Sequence, residues 1–112
     1  MSIQDIKIEA EMNRGVLQIM ALLALETPMY GYMMIRFIEE IGYSIEENTL
    51  YPLLRRLEKN GWISSHWVVE DDRPKKYYEI TTEGKMIRDK LLSIWQIQNR
   101  VIAKLLKEIK NG

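Results

Sequence analysis

The chain predicts a mainly α fold with a small β-hairpin and a long C-terminal helix. Three observations carry this. Apolar residues recur at helical spacing over most of the 112 residues. One stretch, Trp62 to Thr81, is instead rich in β-branched and aromatic residues around Asp71-Asp72-Arg73-Pro74. After it, a single apolar stripe runs from Ile87 to Ile109. The length suits one ordinary domain and is short for two.

Ile3, Ile6 and Ala10 predict a short leading helix with a charged outer face. Val16 to Leu25 is apolar nearly all round, so a helix there must be buried on several sides and form the centre of the core. Thr27-Pro28 reads as a cap followed by a first-turn proline, opening a second helix that Gly42 stops after Ile41. For the third helix, Ser44 with Glu47 offers a capping box and Asn48 and Thr49 offer later caps. A proline deep inside a helix costs about 3 kcal/mol, so Pro52 favours a start near Asn48 or Thr49. Asn60-Gly61 ends that helix. Two strands then flank the Asp71–Pro74 turn, with Ile63, Trp67, Tyr78 and Ile80 sharing the inner face. Thr81 or Thr82 caps a last helix from about Glu83 to Lys110. Three short helices, a hairpin and a long helix form the plan of a winged helix-turn-helix. The division expected is 1–81 for that unit and 82–112 for a terminal dimerisation helix.

Composition excludes several chemistries. There is no cysteine and one histidine, so disulfides, thiolate nucleophiles and cysteine zinc sites are absent. His66 has no second ligand at metal spacing and reads as a strand surface residue; no metal and no cofactor are expected. Asp71 with Asp72, and Glu39 with Glu40, are adjacent in sequence, so their side chains diverge and form no catalytic pair. No enzyme activity is expected. The longest apolar run, Val16 to Leu25, is about half the roughly 20 residues of a bilayer helix, and no basic start with a cleavage site precedes that run, which suggests a cytoplasmic protein away from membranes.

The last helix predicts a homodimer. About 28 helical residues span roughly 42 Å, whereas a compact domain of this length is about 34 Å across. The helix therefore overhangs, yet Ile87, Leu91, Ile94, Gln98, Val101, Leu105 and Ile109 stay in one stripe that Trp95 and Ile102 widen. A second copy is the simplest cover, with the leading helix as a participant. The plain alternative is a helix folded back on its own core or frayed after Arg100.

With 16 basic and 16 acidic residues the net charge is +0, so attraction to nucleic acid must come from a local basic face. The third helix supplies one. At 100° per residue, Leu50, Leu53, Leu54 and Leu57 share one arc, while Asn48, Thr49, Tyr51, Pro52, Arg55, Arg56 and Lys59 share the other. Arginine forks suit guanine edges, Asn and Thr suit base edges, and Tyr and Pro suit thymine methyls or the sugar-phosphate backbone. On the hairpin, Arg73, Lys75 and Lys76 suit phosphates, although Glu70, Asp71 and Asp72 are close enough to neutralise them. Tyr30, Gly31 and Tyr32 open the second helix, where amides and hydroxyls suit a phosphate; Gly31 equally suits close helix packing. The competing reading of the arc is an ordinary solvated helix face.

Pro28-Met29-Tyr30-Gly31-Tyr32, the run Thr49 to Gly61, and Arg73 to Thr81 with Glu83-Gly84 together resemble the PadR family of bacterial transcriptional regulators, over Arg14 to Trp95. The resemblance is to the short branch with a single C-terminal dimerisation helix. It implies a homodimeric, sequence-specific repressor of a pseudo-palindromic operator, commonly of detoxification or drug-efflux genes. It puts Thr49, Tyr51, Pro52, Arg55 and Arg56 on the recognition helix, Tyr30 and Tyr32 near the DNA backbone, and Arg73, Lys75 and Lys76 on the wing. It also implies, for some members, a flat aromatic effector at the dimer centre beside a tryptophan, a place comparable to Trp95, for which interface packing is the plainer role. The alternative function is a winged-helix interaction adaptor without DNA binding.

Overall fold

Ser2 opens α1 (Ile3–Ala24) with a reciprocal cap: its hydroxyl accepts from the Asp5 amide at 3.1 Å, and the Asp5 carboxylate accepts from the Ser2 amide at 3.3 Å. The computed structural model describes residues 2–111; Met1 and Gly112, the outer ends of the two predicted segments, lie outside them. The leading helix and the central helix are thus one continuous element. Gly15 does not interrupt it, because a helical glycine costs only about 1 kcal/mol while the flanking residues keep their hydrogen bonds. Leu17, Ile19, Ala21, Leu22 and Ala24 bury the second half; the first half stays largely exposed.

Thr27 and Pro28 lead into a strand, and this corrects the second helix start. β1 (Met29–Tyr30) pairs antiparallel with β3 (Arg73–Ile80), Met29 opposite Tyr78 and Tyr30 opposite Tyr77. Helix α2 (Gly31–Ile41) begins only after that ladder, with Tyr30 as N-cap and no side-chain cap. The predicted hairpin is therefore a three-stranded sheet in the order β1-β3-β2, with β2 spanning Ile63–Glu70.

Helix α3 (Glu47–Lys59) starts earlier than Asn48 or Thr49, and the Ser44–Glu47 capping box does not form. Pro52 consequently sits in the second turn, where it removes the amide that would bond the carbonyl of Asn48, an exposed residue. Leu50, Leu53, Leu54 and Leu57 are buried as predicted. They meet Leu22, Leu25, Met34 and Ile63 in the core.

The β2–β3 turn is tighter than the four residues expected. Asp71 (φ 51°) and Asp72 (φ 63°) both adopt left-handed backbone, the two-residue turn that matches strand twist. Arg73 and Pro74 join β3, beyond the stretch paired to β1, so one edge at Pro74 is free. Ile63, Tyr78 and Ile80 are buried on the inner face, but Trp67 is 67% exposed. Its pairing opposite Lys76 keeps it on that face; the hairpin simply projects past the core there.

Helix α4 (Thr82–Asn111) is capped by Thr81, whose hydroxyl accepts from the Gly84 amide at 3.0 Å and donates to the Gly61 carbonyl at 2.7 Å. Arg88 anchors the helix to Glu26 at 2.6 Å, with Lys85 at 3.8 Å from the same carboxylate. From Ser93 onward every described residue is exposed, and the long axis of the molecule reaches 63 Å.

Two glycines of α1 and α4 make opposite demands. A Cβ at Gly84 would lie 1.9 Å from the Trp62 carbonyl oxygen, whereas nothing lies within 4 Å of one at Gly15. Gly84→Ala should lower unfolding free energy in urea by about 1–3 kcal/mol, and Gly15→Ala should raise it by about 0.5–1 kcal/mol. Equal effects would contradict this packing of α4.

Candidate nucleic-acid interface

Burying four leucines on one side of α3 dictates what the other side presents. Asn48, Thr49, Pro52, Arg55, Arg56 and Lys59 are exposed. Arg55, Arg56 and Lys59 take part in none of the ion pairs among the described residues. Tyr51 is half-buried, and its ring lies where a Gly31 side chain would go: a Cβ there would be 2.5 Å from the Tyr51 hydroxyl oxygen. Of the two roles open to Gly31, close packing is therefore present. Burial, followed by the Glu47 carboxylate and Tyr78, raises the Tyr51 phenol pKa above its ordinary value.

The approach to α3 is also held. Tyr43 donates to Glu9 at 2.6 Å and accepts from the Asn13 amide at 2.8 Å, tying the exposed half of α1 to the α2–α3 connection. Thr49, Pro52 and Arg56 form one edge of a cavity of about 440 Å³ between α3 and that half of α1.

The wing bases differ from one another. Lys75 lies 3.7 Å from Glu70 and 4.4 Å above the Tyr30 ring. Lys76 lies 3.5 Å from Glu58. Arg73, exposed at the tip, takes part in no ion pair among the described residues. Acids near the wing thus occupy two of its three cations, the neutralisation that the sequence left open. Glu58, on the margin of the basic arc, is the partner that sequence reasoning did not assign; the helical wheel showed its position but not which strand would face it.

Tyr30 stands edge-on to Tyr77 at 5.4 Å, while Tyr32 projects from α2 and its hydroxyl accepts from Arg36 at 3.2 Å. Arg36 was overlooked, although its i,i+4 spacing from Tyr32 signals the pair. His66 is exposed and stacks on Tyr77 with centroids 6.1 Å apart. Among the described residues no cluster of His, Asp and Glu suits a metal. On α4, Ile94, Trp95, Val101, Ile102, Leu105 and Ile109 are exposed, whereas Ile87 and Leu91 pack partly on the protomer's own core.

Comparison with known proteins follows the same geometry. The model of the transcriptional regulator PadR-like family matches residues 19–90. A PadR family transcriptional regulator from Eggerthella lenta is 37% identical and superposes with a TM-score of 0.83, covering 92% of this chain and 94% of its own. A transcriptional regulator from Clostridium thermocellum is 35% identical with a TM-score of 0.74, over 84% of this chain and 96% of that one. A transcriptional regulator of Mycobacterium tuberculosis is 27% identical, over 80% of this chain and 77% of its own length. These relatives are regulators rather than enzymes.

Tyr77 offers a test of the wing's electrostatics. Its hydroxyl donates to Glu70, which, with lesser help from desolvation, pushes the phenol pKa up to about 12. Because the folded value is raised, the tie is fully present below pH about 10 and disappears as pH climbs through about 12. Absorbance titration near 295 nm should show a tyrosine component as late as pH about 12, and Glu70→Gln should return that component toward ordinary behaviour.

Proposed function

Because the chain belongs to the PadR-like family of transcriptional regulators, we propose that it works as a homodimeric, sequence-specific DNA-binding repressor released by a small, flat effector. Residues 1–81 form the DNA-binding unit and 82–112 the dimerisation helix. The observation that carries this reading is the α3 face: its leucines are buried and its Arg55 and Arg56 are exposed and uncommitted. Two-fold symmetry would set two such helices into successive major grooves about 34 Å apart. Asn48, Thr49, Tyr51 and Pro52 would complete the groove contacts, with Lys59, Tyr30, Tyr32 and the wing bases Arg73 and Lys75 on the backbone; Lys76, the third wing base, is held back by Glu58. Such a role belongs in the cytoplasm, and no helix among the described residues is long and apolar enough to cross a membrane.

Dimerisation is supported by complementary, unpartnered surfaces. The first half of α1 exposes Ile3, Ile6, Ile8 and Met12 beside Asp5 and Glu11; the end of α4 exposes Leu105, Leu106 and Ile109 beside Lys104, Lys107 and Lys110. Lys7 and Arg14, the latter paired with Glu11, and Glu108 dilute the charge contrast, so the exposed apolar side chains at the two ends of one chain are what suit an isologous pairing. Trp95, 40% exposed, lies on the same helix, and two such indoles would sandwich a planar effector.

Arg55→Ala or Arg56→Ala should cost about 1–3 kcal/mol of binding to a duplex selected from a random library by the wild-type protein. Arg73→Ala should flatten the plot of log affinity against log salt by about 0.9. Lys75→Ala and Lys76→Ala should flatten it less, since each already faces a carboxylate. Gel-shift titration over a salt series reads both quantities; arginine variants that bind as wild type would remove the assignment of α3.

A second reading, an interaction adaptor without DNA binding, draws on the zero net charge and the two neutralised wing lysines. Absence of salt-dependent binding to mixed-sequence DNA would favour it instead.

For the terminal helix, Leu105→Glu should convert a dimer into a monomer by sedimentation velocity. In Trp62→Phe/Trp67→Phe protein, which keeps only Trp95, planar aromatic compounds should quench emission; unchanged emission would dismiss Trp95 as an effector site.

A further inference from the structure

Glu58 is an acid on a helix face that otherwise presents Arg55, Arg56 and Lys59. Beside a duplex, a carboxylate there repels phosphate and weakens binding. Both of its oxygens are engaged on the hairpin: Oε2 accepts from the Ser65 hydroxyl, and Oε1 faces the Lys76 ammonium at 3.5 Å. Ser65 and Lys76 lie on opposite strands of the wing, on the inner face that they share with Ile63, Tyr78 and Ile80. The Lys76 ammonium also lies 5.5 Å from the centre of the Tyr78 ring. Tyr78 and Ile63 are the last buried residues before the hairpin leaves the core, so this polar contact sits where apolar packing ends. Beyond it, Trp67 and Val69 on the same face are exposed.

We infer that Glu58 is a positioning residue: through Ser65 and Lys76 it fixes the wing's attitude relative to α3, and Lys76 serves as its internal counter-ion rather than as a phosphate ligand. The inference rests on the DNA-binding reading proposed above. In that setting the wing and α3 must meet one duplex together, so their relative orientation enters specificity, while the carboxylate's own charge enters only affinity. A single exposed ion pair changes an equilibrium by about twofold to fivefold; the serine bond adds direction to it.

The test uses Glu58→Gln, Lys76→Gln, their double variant, and the reversed pair Glu58→Lys with Lys76→Glu. In the DNA-free protein, hydrogen exchange of the β2–β3 amides should quicken about twofold to fivefold in Glu58→Gln and return toward wild type in the reversed pair. On DNA, the probes are a duplex selected by the wild-type protein and a mixed-sequence duplex. Glu58→Gln should bind mixed-sequence DNA at least as tightly as wild type, yet discriminate between the two duplexes about twofold to fivefold less. The reversed pair should recover discrimination. Unchanged exchange in every variant would overturn the clasp. Faster exchange with undiminished discrimination would overturn its positioning role. A full phosphate's loss of salt slope in Lys76→Gln would make Lys76 a DNA ligand and overturn its assignment. If the wild-type protein binds no DNA, the functional reading fails and the positioning role with it, while the exchange data still report whether the clasp exists.

Discussion

Four leucines on one arc of a thirteen-residue helix govern this molecule. Leu50, Leu54 and Leu57 are fully buried, and Leu53 nearly so, which fixes α3 about its own axis. Each buried leucine contributes about 1.5–3 kcal/mol, several times what an exposed ion pair offers. The rotation of α3 is therefore set by apolar packing, and its polar residues take the positions that remain. Gly31 sharpens the same constraint, since only a residue without a side chain admits Tyr51 so close to the start of α2. The outward face is preorganised without any contact of its own, which leaves Arg55 and Arg56 free of the competing partners that would have to be broken first.

Much of this was legible because it depends on periodicity. The leucine arc, the apolar stripe of α4, the Asn60-Gly61 stop and the Thr81 cap all follow from residue type and spacing within one element. What escaped depends on contacts between elements. β1 consists of two residues, too short to carry an alternating pattern, and exists because Tyr77 and Tyr78 offer it a ladder. The leading and central helices read as separate because the first has one apolar edge and the second is apolar nearly all round, a change of burial that leaves the backbone helix unbroken. Trp67 was given the correct face, but strand alternation cannot say how far the core extends beneath a hairpin. The start of α3 at Glu47 shows the same limit, since Pro52 falls opposite Asn48, an exposed residue at the helix's solvent side, where a missing hydrogen bond costs less than in the core.

Charge gives a parallel lesson about scale. A total of zero suggests a surface with no preference, yet the ion pairs are distributed unevenly. Glu70 holds Lys75, Glu58 holds Lys76, and Glu26 holds Arg88 and Lys85, while the arginines of α3 and Arg73 hold no acid. Pairing with acids thus partitions the cations into those that brace the protomer and those that remain unneutralised. The field beyond a Debye length, about 8 Å at physiological salt, reflects mainly the second set. Counting basic residues on a wing therefore overstates what that wing can offer a phosphate.

The terminal helix extends this logic from charge to apolar surface. α4 is anchored at its start by Gly84 against Trp62 and by Arg88 on Glu26, so its direction is set by the protomer itself. Its first turns, through Ile87 and Leu91, pack on the protomer's own core; the apolar side chains of its later ones, from Ile94 to Ile109, are exposed. A helix aimed rigidly into solvent with an apolar stripe is costly to leave bare, because each exposed leucine or isoleucine forgoes about 1.5–3 kcal/mol of burial. Under the proposed pairing, the same rigidity would make the distance between two α3 helices a property of α4's anchor rather than of flexible linkage. Anything wedged between two copies of Trp95 would then reach the DNA-facing helices by displacing rigid arms, with no change needed inside either core.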